Sequence, residues 1–457
     1  MKTRNYFYYS LSVILLAIIV FLIFKVFLPD RLFPESLSQS DKIVIDNLAI
    51  CAMENDSITP SDSTYISLKK DSLKYRFSAD KNMEGYSYIV NFFEQLYQLE
   101  SSEDKTEKIR IAYFGDSMTD GDLIVQDIRR EYQNKYGGNG VGFVGITSQS
   151  AQSRYSVTHK YSDNWKTATF LKNSKSQKPF GIDGQIAFCK SNEIILEYRA
   201  NRQKSCEFLY NPILFYGKCS EENAYIDVFT DNDSVRRINL HGVNALNTLK
   251  LAYSNPKKLK MQFHVSDTVP FYGVNFEDGK GVHVDNFSMR GNSGLPLSLL
   301  NKSLMREFDK HLKYDLIILQ YGANVLSYGK NDYSWYEKKM TIVVEHLKEC
   351  FPDADILLVS VADKASKIDM EMKTDEAVLP LLKAQKNCAE ITGSAFINLY
   401  NLMGGEGSMV KWVENKPSYA NKDYTHFNVA GSKKVASLIF NELEKGYMNY
   451  KRMRASE

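Results

Sequence analysis

Residues 108–138 have the sequence KIRIAYFGDSMTDGDLIVQDIRREYQNKYGG. The segment at 108–114 has the pattern of a short buried strand, and a Gly-Asp-Ser turn follows it. Residues 122–136 then carry apolar side chains at helical spacing, and two glycines close the segment. A buried strand that leads through a tight turn into a helix is the first part of a βαβ unit. This stretch therefore predicts an α/β fold built on a parallel sheet.

The same alternation of strand and helix returns in the C-terminal part of the chain. Strands are predicted at 315–320, 355–361 and 395–399, and helices at 86–99, 333–350, 378–392 and 428–447. Strands that alternate with helices indicate a parallel sheet covered by helices on both faces. We therefore predict one α/β domain that is formed by residues 86–149 and 283–450.

Residues 150–282 have a different pattern. Short β-rich runs at 193–198, 213–216, 225–229 and 260–265 are separated by turn residues such as those at 231–233. Runs of this length and spacing are typical of a β-sandwich. The sequence thus predicts that a β-sandwich is inserted into the α/β domain.

The N-terminal region predicts where the protein resides. Residues 6–28 are almost wholly apolar, and a helix of about 20 residues is long enough to span a bilayer. Lys2 and Arg4 precede this run, and positive charge on a short flank favours keeping that end in the cytoplasm. A cleaved signal peptide would have a shorter apolar core followed by small residues. We therefore predict an uncleaved transmembrane anchor at residues 1–29 and a polar stalk at residues 30–85.

Composition argues against several classes of function. The formal net charge is only +2, which gives no electrostatic basis for nucleic-acid binding. The seven histidines are scattered along the chain, and the six cysteines show no C-x-x-C spacing. The sequence therefore predicts neither a metal site nor a cofactor.

Four polar clusters follow predicted strands or lie in loops that can reach the strand ends, where open α/β sheets bind ligands. They are GDS at 115–117, RGNSG at 290–294, YGAN at 321–324 and DYTH at 423–426. A serine hydroxyl becomes an effective nucleophile when a base takes its proton, and His426 can supply that base to Ser117. Asp423 lies three residues before His426, so on one helical turn its carboxylate can hold the imidazole.

These four clusters, in this order, resemble the sequence blocks of the SGNH (GDSL) hydrolase family. The resemblance covers about residues 106–145 and 283–447. It implies a flavodoxin-like three-layer sandwich with a parallel sheet. It also implies a catalytic triad of Ser117, His426 and Asp423, and an oxyanion hole formed by Ser117, Gly291 and Asn324.

Other interpretations of the same residues remain open. Family members usually have an acidic residue after the asparagine of the third block, where this chain has Val325. Thr119 stands where the α/β-hydrolase motif Gly-x-Ser-x-Gly needs its second glycine, which disfavours that class. Asp423 and Thr425 are also typical helix-capping residues. Ser293 is a rival nucleophile, although no predicted strand leads directly into it.

A finer resemblance concerns bacterial peptidoglycan O-acetylesterases. Their layout is similar: an anchor, the GDS block, a helix that ends in a glycine-rich run like the one at 137–143, and an insert before Gly291 that resembles a carbohydrate-binding module. Aromatic residues in the insert are therefore candidates for stacking on sugars. These candidates are Trp165, Phe170, Tyr198, Tyr210, Phe215, Tyr216 and Tyr225.

The resemblance implies a serine esterase that removes acetyl groups from an extracytoplasmic glycan, such as peptidoglycan, through an acyl-enzyme. An O-acetyltransferase with the same triad is an alternative, and so is a glycan-binding protein with a non-catalytic hydrolase domain. The expected partners are the acylated glycan and, through the N-terminal helix, the membrane. The expected location is a bacterial inner membrane, with one span and the catalytic domain facing the periplasm.

We expect an alkaline phosphatase fused after residue 40 to be active in whole cells, because Lys2 and Arg4 retain the N-terminus in the cytoplasm and the following residues are exported. A β-galactosidase fusion at the same position is the control and should be inactive. An inactive phosphatase fusion would contradict the anchor. A mature N-terminus downstream of residue 28 would contradict it as well.

Overall fold

The computed structural model describes residues 13, 15, 16, 20, 47–54, 82–102, 106–172, 176, 178–189, 194–231, 235–266, 268–326 and 332–456. Residues 45–457 form one compact unit, and the fold below is that of its described residues. The predicted anchor lies outside the described residues except for residues 13, 15, 16 and 20. Within the described parts of the chain, no helix combines the length and the apolar character that a bilayer span requires.

The nine described helices include the five that the sequence predicts and four that it does not. The helices are α1 (Asn47–Glu54), α2 (Val90–Ser101), α3 (Val125–Tyr136), α4 (Lys302–Leu312), α5 (Ser334–Cys350), α6 (Val378–Thr392), α7 (Leu399–Met403), α8 (Ser408–Glu414) and α9 (Val429–Arg454). Helix α1 falls within the predicted stalk, and its Ala49 and Ala52 are buried in a hydrophobic cluster shared with α5.

The strands form one mixed sheet and three antiparallel sheets. The first ten strands are β1 (Met83–Glu84), β2 (Lys108–Gly115), β3 (Gly142–Gly145), β4 (Val157–Tyr161), β5 (Trp165–Thr169), β6 (Gln185–Cys189), β7 (Ile194–Ala200), β8 (Ile213–Tyr216), β9 (Tyr225–Phe229) and β10 (Val235–Asn239). The others are β11 (Asn247–Lys250), β12 (Lys258–His264), β13 (Phe271–Phe276), β14 (Gly281–Asn286), β15 (Leu316–Gln320), β16 (Asp355–Val359), β17 (Ala365–Ile368), β18 (Glu371–Thr374) and β19 (Ala395–Ile397).

The central sheet has the strand order β1-β19-β16-β15-β2-β14. Five of its strands are parallel, whereas β1 pairs antiparallel with β19 through Met83 opposite Ile397 and Glu84 opposite Phe396. The prediction of a purely parallel sheet was therefore wrong at this edge. A two-residue edge strand needs no crossover helix and can pair in either direction, since it has only one neighbour.

Helices cover both faces of the central sheet. Along β2, Ile109, Ile111 and Tyr113 belong to the hydrophobic cluster that contains side chains of α2, α3 and α9. Ala112 and Phe114 belong to the opposite cluster, with α4, α5 and α6. Successive side chains of a strand point to opposite faces, so β2 is buried on both sides.

The order of the parallel strands creates a crevice at one point of the sheet. From β2 the chain crosses to β14 on one side, and it then returns to β15 on the other side. The ends of β2 and β15 therefore form a topological switch point, which is where doubly wound sheets bind ligands. The residues that follow these two strands are Asp116 and Tyr321.

Most of the segment at 150–282 forms two antiparallel sheets. One has the order β10-β9-β12-β7-β4, and the other has β11-β8-β13-β6-β5, with β3 added on β13. Side chains from both sheets share one hydrophobic cluster, including Leu196 and Val228 from the first and Leu214 and Val274 from the second. Strands β8 and β9 have the predicted bounds, whereas the sequence did not predict the parallel strand β14.

A buried ion pair joins the central sheet to the neighbouring antiparallel sheet. Arg110 on β2 donates from Nε and Nη2 to the Asp285 carboxylate on β14, at 2.6 and 3.0 Å. Its Nη2 also donates to Asn275 Oδ1 on β13 at 2.6 Å, and the Phe143 N–H on β3 donates to Asp285. Burial raises the pKa of Asp285, but the Arg110 charge and these donors together hold it below its ordinary value.

We expect Arg110→Met to lower the free energy of unfolding by about 3–5 kcal/mol, because Asp285 would be left buried without its cation. Urea unfolding at pH 7 measures this change. The difference from wild type should shrink as the pH falls to about 4 and below, because a protonated Asp285 no longer needs a cation. Arg306→Met removes an exposed arginine and should stay within about 0.5 kcal/mol of wild type. A loss of the same size in both variants would contradict the role of the pair.

Candidate active site

The turn that presents Ser117 is set by Gly115 and Asp116. A Cβ on Gly115 would lie 2.1 Å from Thr119 Oγ1, so a larger residue there would displace the Thr119 side chain. The Asp116 side chain accepts the Met118 N–H at 2.9 Å, and its carbonyl accepts the N–H groups of Thr119 and Asp120. These bonds hold Ser117 at the end of β2, with its side chain partly exposed.

Asp116 itself is almost fully buried beneath this turn. Burial raises its pKa to about 6, and donors from Met118, Ala323 and Asn324 limit the rise. The carboxyl therefore links the turn after β2 to the segment after β15.

Asp423 and His426 lie in a turn before α9. The sequence placed them on one helical turn, but the residues from 421 to 428 are not helical, and Tyr424 has a φ of +55°. Asp423 Oδ1 instead accepts the N–H groups of Thr425 and His426, each at 3.0 Å. A short acidic side chain that accepts backbone N–H groups two and three residues ahead closes the turn by itself.

The structure brings Ser117, His426 and Asp423 together. Ser117 Oγ lies 2.9 Å from His426 Nε2, although the two residues are 309 positions apart. His426 Nδ1 lies 2.8 Å from Asp423 Oδ2. With the Nδ1 proton donated to the carboxylate, Nε2 has a lone pair that can accept the serine proton. The arrangement can therefore generate a serine nucleophile.

Solvent reaches this constellation. The side chains of His426 and Asp423 are 41% and 48% exposed. Burial raises the pKa of Asp423, but the hydrogen bonds from the His426 ring and from the His426 and Thr425 backbone lower it below its ordinary value overall. The carboxylate is thus ionised near neutral pH and can orient the ring.

Two of the three predicted oxyanion-hole residues, Gly291 and Asn324, come from loops that contact each other. Gly291 lies in the buried loop after β14, with a φ of +78°. Asn324 is only 9% exposed, and its Nδ2 donates to the Asn292 carbonyl at 3.2 Å. The Met289 N–H donates to the Gly115 carbonyl, which joins the first loop to the serine turn. Their role in stabilising an oxyanion stays a prediction.

Val325, the departure from the family pattern, has a packing explanation. Its side chain is fully buried in the hydrophobic cluster with α5 and α6, and its N–H donates to the Gly322 carbonyl at 2.8 Å. An acidic side chain at this position would be desolvated in an apolar environment. The rival nucleophile Ser293 is also buried, and its Oγ accepts the Leu295 N–H at 3.3 Å as part of a turn.

The hairpin formed by β17 and β18 was not predicted from the sequence. It begins beside the histidine loop, where the Ala365 N–H donates to the Tyr424 carbonyl at 3.0 Å. Its turn residues Asp369 and Met370 have φ angles of 50° and 68°. Two-residue hairpin turns of this kind are usually signalled by Asn-Gly or Asp-Gly, and Met370 gives no such signal.

A small cavity and two further polar contacts border the site. The cavity lies beside Asp116, Met118, Ala323, Val361 and Thr425, at the carboxyl edge of the sheet. Arg290 Nε donates to Asp120 at 2.6 Å, and the hydroxyls of Thr119 and Ser288 lie 2.7 Å apart.

Within the described residues, no group of three or more His, Cys, Asp or Glu side chains is arranged to hold a metal ion.

We expect Asp423→Asn to lower kcat by about 10³-fold to 10⁴-fold towards a small activated acetyl ester, because an amide can hold the imidazole in the wrong tautomer. Steady-state kinetics with separate kcat and KM values measure this. Asp353→Asn changes an exposed carboxylate that precedes β16, at the opposite edge of the sheet, and should leave kcat unchanged. A decrease in kcat of less than tenfold in Asp423→Asn would contradict a functional hydrogen-bonded chain from Ser117 through His426 to Asp423.

Asn324→Ala should lower kcat by about 10²-fold to 10³-fold with little change in KM, as expected when one donor to a developing oxyanion is lost. Asn387→Ala is the matched control, because it removes a side-chain amide that bonds Glu337 between α5 and α6. A large rise in KM with an unchanged kcat would contradict the assigned role. Thermal unfolding of both variants tests whether the fold is retained.

No protein-family model matches the sequence, and no curated protein matches it either. Solved structures do match its fold. A peptidoglycan O-acetylesterase has 21% sequence identity and a TM-score of 0.63, and the match covers 79% of this chain and 96% of the other. A family two carbohydrate esterase from Cellvibrio japonicus has 12% identity and a TM-score of 0.26, over 65% of this chain and 99% of the other.

An acetyl xylan esterase has 20% identity and a TM-score of 0.28, over 36% of this chain and 83% of the other. The two carbohydrate esterases have TM-scores too low to support an argument. The likeness to the peptidoglycan O-acetylesterase extends over almost all of that protein. The resemblance predicted from the four sequence clusters is thus confirmed at the level of the fold, which is similar to that of a peptidoglycan O-acetylesterase.

Proposed function

We propose that this chain is a serine esterase of the SGNH type that removes acetyl groups from a glycan such as peptidoglycan. The observation that carries the proposal is the continuous relay from Ser117 Oγ through the His426 ring to the Asp423 carboxylate, at 2.9 and 2.8 Å. The proposal includes a flavodoxin-like three-layer sandwich with a β-sandwich insert at residues 150–282. The strand order of the central sheet and the shared core of the two antiparallel sheets support this architecture.

The geometry accounts for both halves of ester hydrolysis. Ser117 Oγ attacks the acetyl carbonyl while His426 Nε2 takes its proton, and the carbonyl oxygen becomes an oxyanion. The backbone N–H groups of Ser117 and Gly291 and the amide of Asn324 are the proposed donors to this oxygen. The carbonyl then re-forms, the sugar oxygen leaves with the proton from His426, and the acetyl group stays on Ser117.

Water completes the cycle. His426 removes a proton from a water molecule, the resulting hydroxide attacks the acetyl-enzyme, and acetate leaves as Ser117 recovers its proton. The partial exposure of His426 and Asp423 lets water reach the acyl-enzyme. This favours hydrolysis over transfer to a second sugar, because transfer requires a site that excludes water.

A glycan substrate is supported by two features. One matching structure is that of a peptidoglycan O-acetylesterase, and the match covers 79% of this chain. The His426 and Asp423 side chains of the relay are also partly exposed at the surface, so a small acetyl group carried on a large polymer could reach them. A glycan-binding protein with a non-catalytic hydrolase domain is disfavoured, because its triad would have no reason to keep hydrogen-bonding geometry.

We also propose that the catalytic part faces the periplasm of a bacterial cell and is held to the inner membrane by the N-terminal segment. The support is the apolar run at residues 6–28 together with Lys2 and Arg4 before it. Acetylated cell-wall glycan would be accessible from that side.

The wild-type chain should release acetate from O-acetylated peptidoglycan, and Ser117→Ala should release none above background. An acetate assay measures the esterase activity. Mass spectrometry of the protein after reaction with a fluorophosphonate identifies the nucleophilic serine. Ser293→Ala is the matched control and should keep the Ser117 adduct. An adduct on Ser293, or unchanged acetate release by Ser117→Ala, would overturn the proposal. Acetyl groups found mainly on an added glycan acceptor would instead identify a transferase.

A further inference from the structure

The segment that follows Ser117 has a strained backbone. We call residues 119–124 the strained loop. Asp122 and Ile124 have φ angles of 70° and 63°, in a region that residues other than glycine rarely adopt. Ile124 is also β-branched, has a ψ of −56° and is fully buried. A conformation of this kind persists only where the surrounding structure enforces it, so the contacts of the strained loop must supply that constraint.

Asp122 connects the strained loop to two arginines from different parts of the chain. Arg129 on α3 donates from Nη1 and Nη2 to the buried Asp122 carboxylate, at 2.8 and 3.0 Å. Arg154 Nη2 lies 3.4 Å from the same carboxylate, and it comes from the segment at 150–282. Burial raises the pKa of Asp122, but the charges of the two arginines lower it below its ordinary value overall. The carboxylate is therefore ionised at neutral pH.

Asp120 makes a second connection two residues earlier. Its carboxylate accepts the hydroxyl of the buried Ser150, and it accepts Arg290 Nε at 2.6 Å. Arg290 directly precedes Gly291, a predicted oxyanion donor. The strained loop is thus bonded both to the segment at 150–282 and to the loop after β14.

The strained loop is continuous with the turn that presents Ser117. Asn286 Nδ2 donates to the Thr119 carbonyl at 2.8 Å and to the Asp122 carboxylate at 3.2 Å, so one amide joins both ends of this region. A displacement of Asp122 would consequently move Thr119, which lies two residues from Ser117. Misplacement of a reacting group by about 1 Å can lower a rate about 10²-fold.

The Arg154 side chain is fixed within its own segment. Its Nε donates to Ser156 Oγ at 3.0 Å, and only 12% of the side chain is exposed. Asp122 already has a bidentate partner in Arg129, so Arg154 is not needed to provide its first counter-charge. What Arg154 adds is a link between the segment at 150–282 and the loop that follows the nucleophile.

We propose that Arg154 is a positioning residue: by pairing with Asp122 it fixes the strained loop and keeps Ser117 Oγ within hydrogen-bonding distance of His426 Nε2. The inference rests on the proposed function only in taking Ser117 as the nucleophile. It goes beyond that function, because the segment at 150–282 then contributes to the reactivity of the serine. The effect belongs in kcat and not in the KM of a small ester, since Arg154 acts through the loop.

The test is hydrolysis of p-nitrophenyl acetate by the purified full-length chain, together with the rate at which a fluorophosphonate labels Ser117. Arg154→Met should lower kcat and the labelling rate about 10-fold to 100-fold, with KM changed less than about twofold. Arg154→Lys should recover most of this loss, because the contact with Asp122 is a single charge pair and not a bidentate one. Arg202→Met removes an exposed arginine from the same segment and should behave as wild type.

Thermal unfolding verifies that each variant is folded. Wild-type kcat and labelling rate in folded Arg154→Met would show that the residue is structural only and would overturn the proposal. A loss that Arg154→Lys does not recover, or a change confined to KM, would overturn it as well. If Arg154→Met does not fold, Ser150→Ala tests the same link through Asp120, and wild-type kinetics in that variant would overturn the proposal.

The outcome for Arg154 is separate from the outcome for the proposed function. A chain whose Ser117 is labelled but which releases no acetate from peptidoglycan would contradict the glycan substrate, and the labelling rates would still decide the role of Arg154. A wild-type chain with neither labelling of Ser117 nor ester turnover would overturn both.

Discussion

The position of β2 between β14 and β15 is the constraint on which the rest of the molecule depends. Both pairings are parallel, so the three strands end at the same edge of the sheet. That edge receives the Ser117 turn, the loop with Gly291 and the loop with Asn324. A shift of β2 by one residue would turn each of its side chains to the opposite face and would move Ser117 by about 3.3 Å, out of hydrogen-bonding reach of His426.

Two buried polar contacts fix the position of β2, one near each end of the strand. At the base of β2, the buried pair of Arg110 and Asp285 ties the central sheet to β3 and β13. At the carboxyl end, Asp116 ties the serine turn to the segment after β15. Both carboxyls are buried, so each is stable only because its donors are fixed by the surrounding strands.

Charge is used differently in the two parts of the chain. Around the candidate active site the charged groups are paired at short range, as in Asp423 with His426 and Asp120 with Arg290. On the outer face of the five-stranded sheet, Arg199 pairs with Glu197 and Arg237 with Asp227 at the surface. The first pattern orients a reacting group, whereas exposed pairs of the second kind contribute little to stability.

Local patterns in the sequence determined the class of fold and the identity of the candidate nucleophile. The strand β2 is buried on both faces and is apolar apart from Lys108 and Arg110, and the Gly-Asp-Ser turn after it is a local feature, so the sequence alone indicated both. The bounds of β8, β9 and α6 follow from local patterns for the same reason. Tertiary structure alone decided the pairing of β14 with β2, the antiparallel edge strand β1, and the contact between Ser117 and His426 across 309 residues. These features depend on hydrogen bonds and packing between segments that are distant in the chain, which no local pattern of residues encodes.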